Sequence, residues 1–216
     1  MTDALSRRRR TMRFANVAIV AVLGLSLGGC GYNRIQELDE TAEQAKSNIG
    51  VQLTARNQLI PNLVATVKGA AEFERGTNTD VARARAGQLP AAEAALNQAR
   101  QQSQAAVQSG NVEQMQAADA AATRSIGTYL NIAVEAYPQL RATQNFTGLQ
   151  DQLAESENKI AQARTDYNEA VRSYNTYIRQ FPQAMTAKMT GADRKEPYQA
   201  PAGSETAPTV DFGTKQ

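Results

Sequence analysis

The chain has no histidine and no tryptophan, and only one cysteine among 216 residues. Without histidine there is no Ser-His or Cys-His nucleophile system and no imidazole to hold a metal. With one cysteine no disulfide forms within the chain. No run of alternating β-branched residues bounded by turns occurs, so strands are not expected. Glycine-rich phosphate loops are missing as well: Gly28-Gly29 is the one adjacent pair, and the glycines after Gly31 are isolated. Carboxylates do gather at Asp151, Glu155 and Glu157. However, Lys159 stands four residues after Glu155, which suits a surface ion pair rather than an acid-base pair. Neither a catalytic residue, a metal site nor a cofactor is expected.

What is present begins at the N-terminus. Arg7, Arg8, Arg9, Arg10 and Arg13 precede an apolar run from Val17 to Leu27, then Gly28, Gly29 and Cys30. A charged head, a short apolar middle and small residues before a cut are the parts of a secretory signal. Leu27-Gly28-Gly29-Cys30 resembles a bacterial lipobox, with cleavage between Gly29 and Cys30 and a fatty-acyl (palmitate-bearing) diacylglycerol on the Cys30 thiol. The alternative is an uncut segment. Phe14 to Cys30 is 17 residues, at the short end of what spans a bilayer. Under both readings the arginines stay cytoplasmic and the rest of the chain faces outward. In a cell with two membranes, Gly31 after the lipidated cysteine favours the outer one.

Removing residues 1–29 takes away five arginines and one aspartate, leaving 18 basic and 20 acidic side chains. The remaining chain is nearly neutral and carries no electrostatic footprint for nucleic acid.

From Ile35 to Met189 the chain is dense in Ala, Gln, Leu, Glu and Arg, all good helix formers. Ile35, Leu38, Ala42, Ala45, Ile49 and Leu53 repeat at three and four, and the pattern resumes at Ile60, Leu63, Val67 and Ala70. A first long helix should therefore start near Tyr32 and run through Pro61, with a kink there. Gly76 to Asp80 makes a turn, with Thr79 or Asp80 as N-cap. Gly87 and Pro90 divide the Ala/Gln-rich middle, with Pro90 in the first turn of a new helix. Ser109-Gly110-Asn111 turns the chain into a helix reaching Tyr137-Pro138. The last helix has the most regular seam, from Phe146 through Leu149, Leu153, Ser156, Ile160, Ala163, Tyr167, Ala170, Tyr174 and Tyr177 to Phe181. The fold class expected is all-α: an elongated antiparallel helical bundle of about four helices, the first and last long. The organisation expected is a signal peptide over 1–29, a bundle over 30–190 and a disordered tail over 191–216.

Several of these segments are similar to the LemA family of bacterial membrane-associated proteins. The carrying residues are Leu59-Ile60-Pro61-Asn62-Leu63-Val64 with Thr66-Val67-Lys68-Gly69, and Glu135-Ala136-Tyr137-Pro138. Further along they are Asn145-Phe146, Glu157-Asn158-Lys159-Ile160, Tyr167-Asn168, Tyr174-Asn175, Phe181-Pro182 and Pro208-Thr209-Val210-Asp211-Phe212. The resemblance implies an N-terminal membrane attachment followed by a helical bundle outside, and no enzymatic activity. The chain departs from the family where Ala70 replaces an aromatic residue, Phe73 a histidine, and Gln58 and Gln139 acidic residues.

Three asparagines form the expected interaction face: Asn62 after the proline, and Asn168 and Asn175, one heptad apart on a flank of the last seam. For Asn168 and Asn175 the packing role is to bond neighbouring helices and fix register, and the functional role is a polar strip for a partner helix or an extended peptide. For Asn62 the packing role is to satisfy a carbonyl freed at the Pro61 kink, and the functional role is a hinge or docking corner. The Ala/Gln-rich middle offers a further surface, for self-association or another coiled coil. The partners expected are thus a membrane, an envelope protein and a second copy. A small-molecule binder or enzyme would instead need a closed polar pocket.

Overall fold

The computed structural model describes the backbone of residues 3–73 and 80–199, and the side chains of residues 31–72 and 82–199. Among the described residues there are helices and no strands. The helices are α1 (Asp3–Phe73), α2 (Asp80–Ala86), α3 (Leu89–Ser109), α4 (Val112–Ala136), α5 (Gln144–Tyr177) and α6 (Gln183–Thr190). A 3₁₀ helix, Pro138–Ala142, separates α4 from α5.

The chain forms two compact units. The first takes α1 as far as Gln44 together with Asn168–Pro197, and the second takes Ala45–Tyr167 with the chain from Tyr198.

In the second unit the three-four repeat does what it should. Ile49, Leu53, Ile60, Leu63 and Val67 of α1 are buried, as are Leu89, Ala92, Leu96 and Ala99 of α3. Ile126, Tyr129 and Ala133 of α4 pack with Leu140, Phe146 and Leu153 in one core with α1 and α3. Each fully buried Leu, Ile or Phe contributes about 1.5–3 kcal/mol. α1 passes through Pro61 and continues, because the buried face on both sides of the proline holds it in register.

α3 and α4 are joined by a tight turn built as the Ser109-Gly110-Asn111 signal predicts. Gly110 ends α3 in the left-handed region at φ 64°, with its N–H on the Val107 carbonyl. Asn111 caps α4, its Oδ1 accepting from the Gln114 N–H at 2.9 Å. One stripe of alanines on this hairpin faces inward: Ala92, Ala99, Ala106, Ala118, Ala122 and Ala133 are buried. Small side chains let α1 come close, so that a methyl group on Gly50 would stand 3.2 Å from Val107 Cγ1. The inward Ala-rich stripe is thus used within the unit, while Ala91, Ala94, Ala95, Ala105 and Ala117 stay exposed.

In the first unit Ile35 and Leu38 of α1, Tyr174 near the end of α5, Ile178 just after it, and Ala187 of α6 form a small core. Two expectations are corrected here. The first long helix does not begin at Tyr32; its backbone is helical from Asp3. The last long helix stops at Tyr177, short of Phe181, which is 83% exposed. Pro182 disfavours helical backbone at the residue before it, and α5 ends ahead of that restriction.

The segment after Gly191 also differs from a tail disordered from its first residue. It carries no regular structure, yet Lys195 is bonded in the first unit and Tyr198 is buried in the second. Residues 200–216 lie outside the described residues, as do 74–79 with most of the expected turn. The Cys30 side chain and the surroundings of Gly29, and with them the cleavage and lipidation reading, also lie outside.

Candidate interaction face

Asn168 and Asn175 do share a face, in the first unit. With Val171, Arg172, Thr176, Arg179, Arg194 and Pro197 they line an open groove of about 240 Å³ between the end of α5 and the chain after α6. None of these lining residues is acidic. Three guanidiniums form a surface rich in donors, suited to carboxylates or carbonyl oxygens.

Asn175 already holds an extended peptide, and that peptide is the chain's own. Its Nδ2 donates to the Lys195 carbonyl at 2.8 Å, and its Oδ1 accepts from the Lys195 N–H at 2.9 Å. This paired bond imitates a strand-to-strand bridge and fixes residues around Lys195 as a strap. The Lys195 ammonium reaches Glu43 Oε1 at 2.7 Å and Asp39 Oδ1 at 3.1 Å, and stands 5.5 Å from the Tyr174 ring centre. Burial works against its charge, but the two carboxylates outweigh burial and raise its pKa above the ordinary lysine value.

Asn62 does not join the other two. It belongs to the second unit, where it is exposed and lines another groove with Gln52, Gln58, Leu59, Glu155 and Lys159. Its backbone carbonyl accepts a bond from the Thr66 hydroxyl at 2.9 Å. The Glu155–Lys159 pair forms as expected, at 2.7 Å.

The most buried polar group of the second unit was not anticipated. Arg56, fully buried on α1, places Nη2 2.9 Å from Asp119 Oδ1 on α4 and Nη1 2.7 Å from Glu157 Oε1 on α5. Nη1 also donates to the Thr123 hydroxyl at 3.0 Å. Asp119 Oδ2 accepts from Arg164 Nη2 and from the Tyr198 hydroxyl at 2.8 Å. The Arg164 guanidinium lies 5.3 Å from the centre of the Tyr198 ring. Burial, and next the Asp119 charge, push the Tyr198 phenol well above its ordinary pKa. A signal for this network was in the sequence. Position 56 falls between Leu53 and Ile60, and position 119 between Met115 and Ala122, on the three-four register of their helices. A charged residue at such a position must be paired or it destabilises the fold.

Among the residues whose side chains are described, no helix is long and apolar enough to cross a membrane, and no group of His, Cys, Asp or Glu is placed to hold a metal ion.

Comparison with known proteins gives a family match described as the LemA family over residues 45–212. Among curated proteins, magnetosome proteins MamQ 1 and MamQ 2 of Paramagnetospirillum magneticum are each 28% identical over 181 residues, covering 80% of this chain and 66% of the relative. Magnetosome protein MamQ of Magnetospirillum gryphiswaldense is 25% identical over the same length and the same shares. The chain thus spans just under two thirds of the length of these relatives.

Proposed function

The chain belongs to the LemA family, and we propose that this member is a membrane-anchored, non-catalytic interaction module on the outward side of a bacterial membrane. Cys30 carries the anchor as a lipidated first residue after cleavage at Gly29. Two or more acyl chains give durable attachment, at about 0.8 kcal/mol per buried CH₂. The helical bundle then presents the Asn168–Asn175 groove to an envelope protein.

The observation that carries this reading is the lining of that groove. Arg172, Arg179 and Arg194 face it with no carboxylate among the lining residues, and Asn175 beside them binds the extended backbone of the chain's own Lys195. The partner that fits is an acidic, extended segment of another protein, bound by charge-assisted bonds to the guanidiniums. The magnetosome attribution stays with the relatives that bear it.

One observation favours a second form of anchor. Phe14 to Cys30 carries no charged side chain over 17 residues, which suits a segment retained uncut at the short end of the spanning range. Intact mass of the protein extracted from its own cells separates the two. A chain beginning at Cys30 with added acyl mass supports lipidation. A chain retaining Arg13 overturns it in favour of the uncut helix. For the groove, the expected result is a heteromeric crosslink from a photoreactive residue at Asn168.

A further inference from the structure

The first unit carries an apolar face that its own core does not use. α6 packs inward through Ala187, against Ile35, Leu38, Tyr174 and Ile178. On the outside, Met185 and Met189 are one helical turn apart and 62% and 87% exposed, with Phe181 83% exposed in the turn before. Tyr32, on α1, is 43% exposed. Large apolar side chains exposed to this degree on a short helix are costly in water, and grouped ones mark an interaction site.

The position of α6 identifies what covers it. Gln183 Cγ and Thr186 Oγ1 of α6 stand 3.7 and 3.8 Å from where a side chain on Gly31 would begin. Gly31 directly follows Cys30, and it lies four residues beyond Leu27, the end of the apolar run. Four residues of helix are about 6 Å. From that geometry we infer that Phe181, Met185 and Met189, with Tyr32, enter the interfacial layer of the bilayer that holds the N-terminal anchor. The inference rests on the proposed attachment at or before Cys30, and it holds whether that attachment is acyl chains or a retained helix.

The chemistry matches a lipid surface. Apolar side chains of surface-lying helices reach roughly 5–10 Å into the headgroup and acyl boundary. Tyrosine and phenylalanine settle at headgroup depth, and unbranched methionine adapts to a disordered environment. Lys188 is exposed beside these residues, long enough to keep its charge among the headgroups while its stem lies along the apolar layer. The face supplies a second point of contact beside the anchor and would fix how the first unit stands on the membrane.

The test uses the full chain in its own cells, with a photoreactive amino acid replacing Met185 or Met189 in turn. Both positions are exposed, so the fold tolerates them. A control places the same residue at Val51, which is also exposed but belongs to the second unit. The expected result is a chain in the membrane fraction that gains phospholipid mass on irradiation at 185 and 189, several-fold above position 51. A membrane-bound chain that crosslinks there only to protein, whether another component or a second copy, overturns the inference and leaves the anchor intact. A membrane-bound chain with no adduct at either position overturns it equally. A chain that washes into the soluble fraction overturns the attachment itself and this inference with it.

Discussion

Arg56 and Asp119, on α1 and α4, meet inside the second unit with Nη2 and Oδ1 2.9 Å apart, their side chains 0% and 2% exposed. A buried ion pair is a weak source of net stability, because removing both charges from water offsets most of their attraction. The pair is also not perfectly satisfied: Nη2 and Oδ1 meet as charges without hydrogen-bond geometry, and Arg56 Nε is buried without a hydrogen-bond partner among the described residues. What the pair does is make one arrangement of α1, α4 and α5 acceptable, since any other leaves a charge alone in an apolar interior.

Asp119→Ala should therefore be severe. It strands Arg56 and removes the acceptor of Arg164 and Tyr198, with an expected cost of about 3–5 kcal/mol. Urea unfolding measures it. Replacing Arg56 and Asp119 together with Met and Leu should cost much less than Asp119→Ala alone. Equal losses in the two variants would mean the pair is not coupled.

The buried tyrosines set an alkaline limit to stability. Burial holds the Tyr129 and Tyr198 phenols well above their ordinary value near 10. Below pH 10 the phenols are neutral in the folded and unfolded chain, and their contribution is complete. Above pH 10 the unfolded chain ionises them and the folded chain does not, so stability falls as pH rises. Spectrophotometric titration should show tyrosines that ionise only when the fold is lost, and Tyr198→Phe should remove one of them.

Asn175→Ala removes both bonds of the strap. Lys195 would keep its carboxylate partners but lose its backbone anchor. Tryptic cleavage after Arg194 and Lys195 should become several-fold faster, while sites within α3 to α5 keep their rates. Unchanged cleavage after Arg194 would show that the strap is held elsewhere.

Gly110→Ala tests the turn between α3 and α4. At φ 64° a side chain costs about 1–2 kcal/mol, and the midpoint of thermal unfolding should drop accordingly. Gly127 is helical, with nothing within 4 Å of an added methyl group, so Gly127→Ala should leave stability equal or higher by up to about 1 kcal/mol.

Most of the fold was legible because its helices bury one regular stripe. Ile49 to Val67 and Phe146 to Tyr174 step by three and four, and Gly110 and Asn111 announce a stop and a start. Arg56 and Asp119 escaped because a search for apolar periodicity steps over charged residues, although both sit on the stripe. Tyr198 escaped for a different reason: the prolines, glycines and threonines around it outweigh a single aromatic residue in composition. Its role depends on Asp119, 79 positions away, and no local pattern reports such a distance. Of the expected interaction face, the heptad spacing of Asn168 and Asn175 was enough to bring them together. Asn62 carried no register relation to them, and the structure places it in the other unit.

The most direct test of the proposed role is photocrosslinking in living cells from Asn168, with and without Arg172→Glu and Arg179→Glu. A groove that receives an acidic segment should give one discrete heteromeric adduct, lost on charge reversal while the chain stays folded and at the membrane. Adducts only between copies of this chain, or a heteromeric adduct indifferent to the arginines, would contradict it.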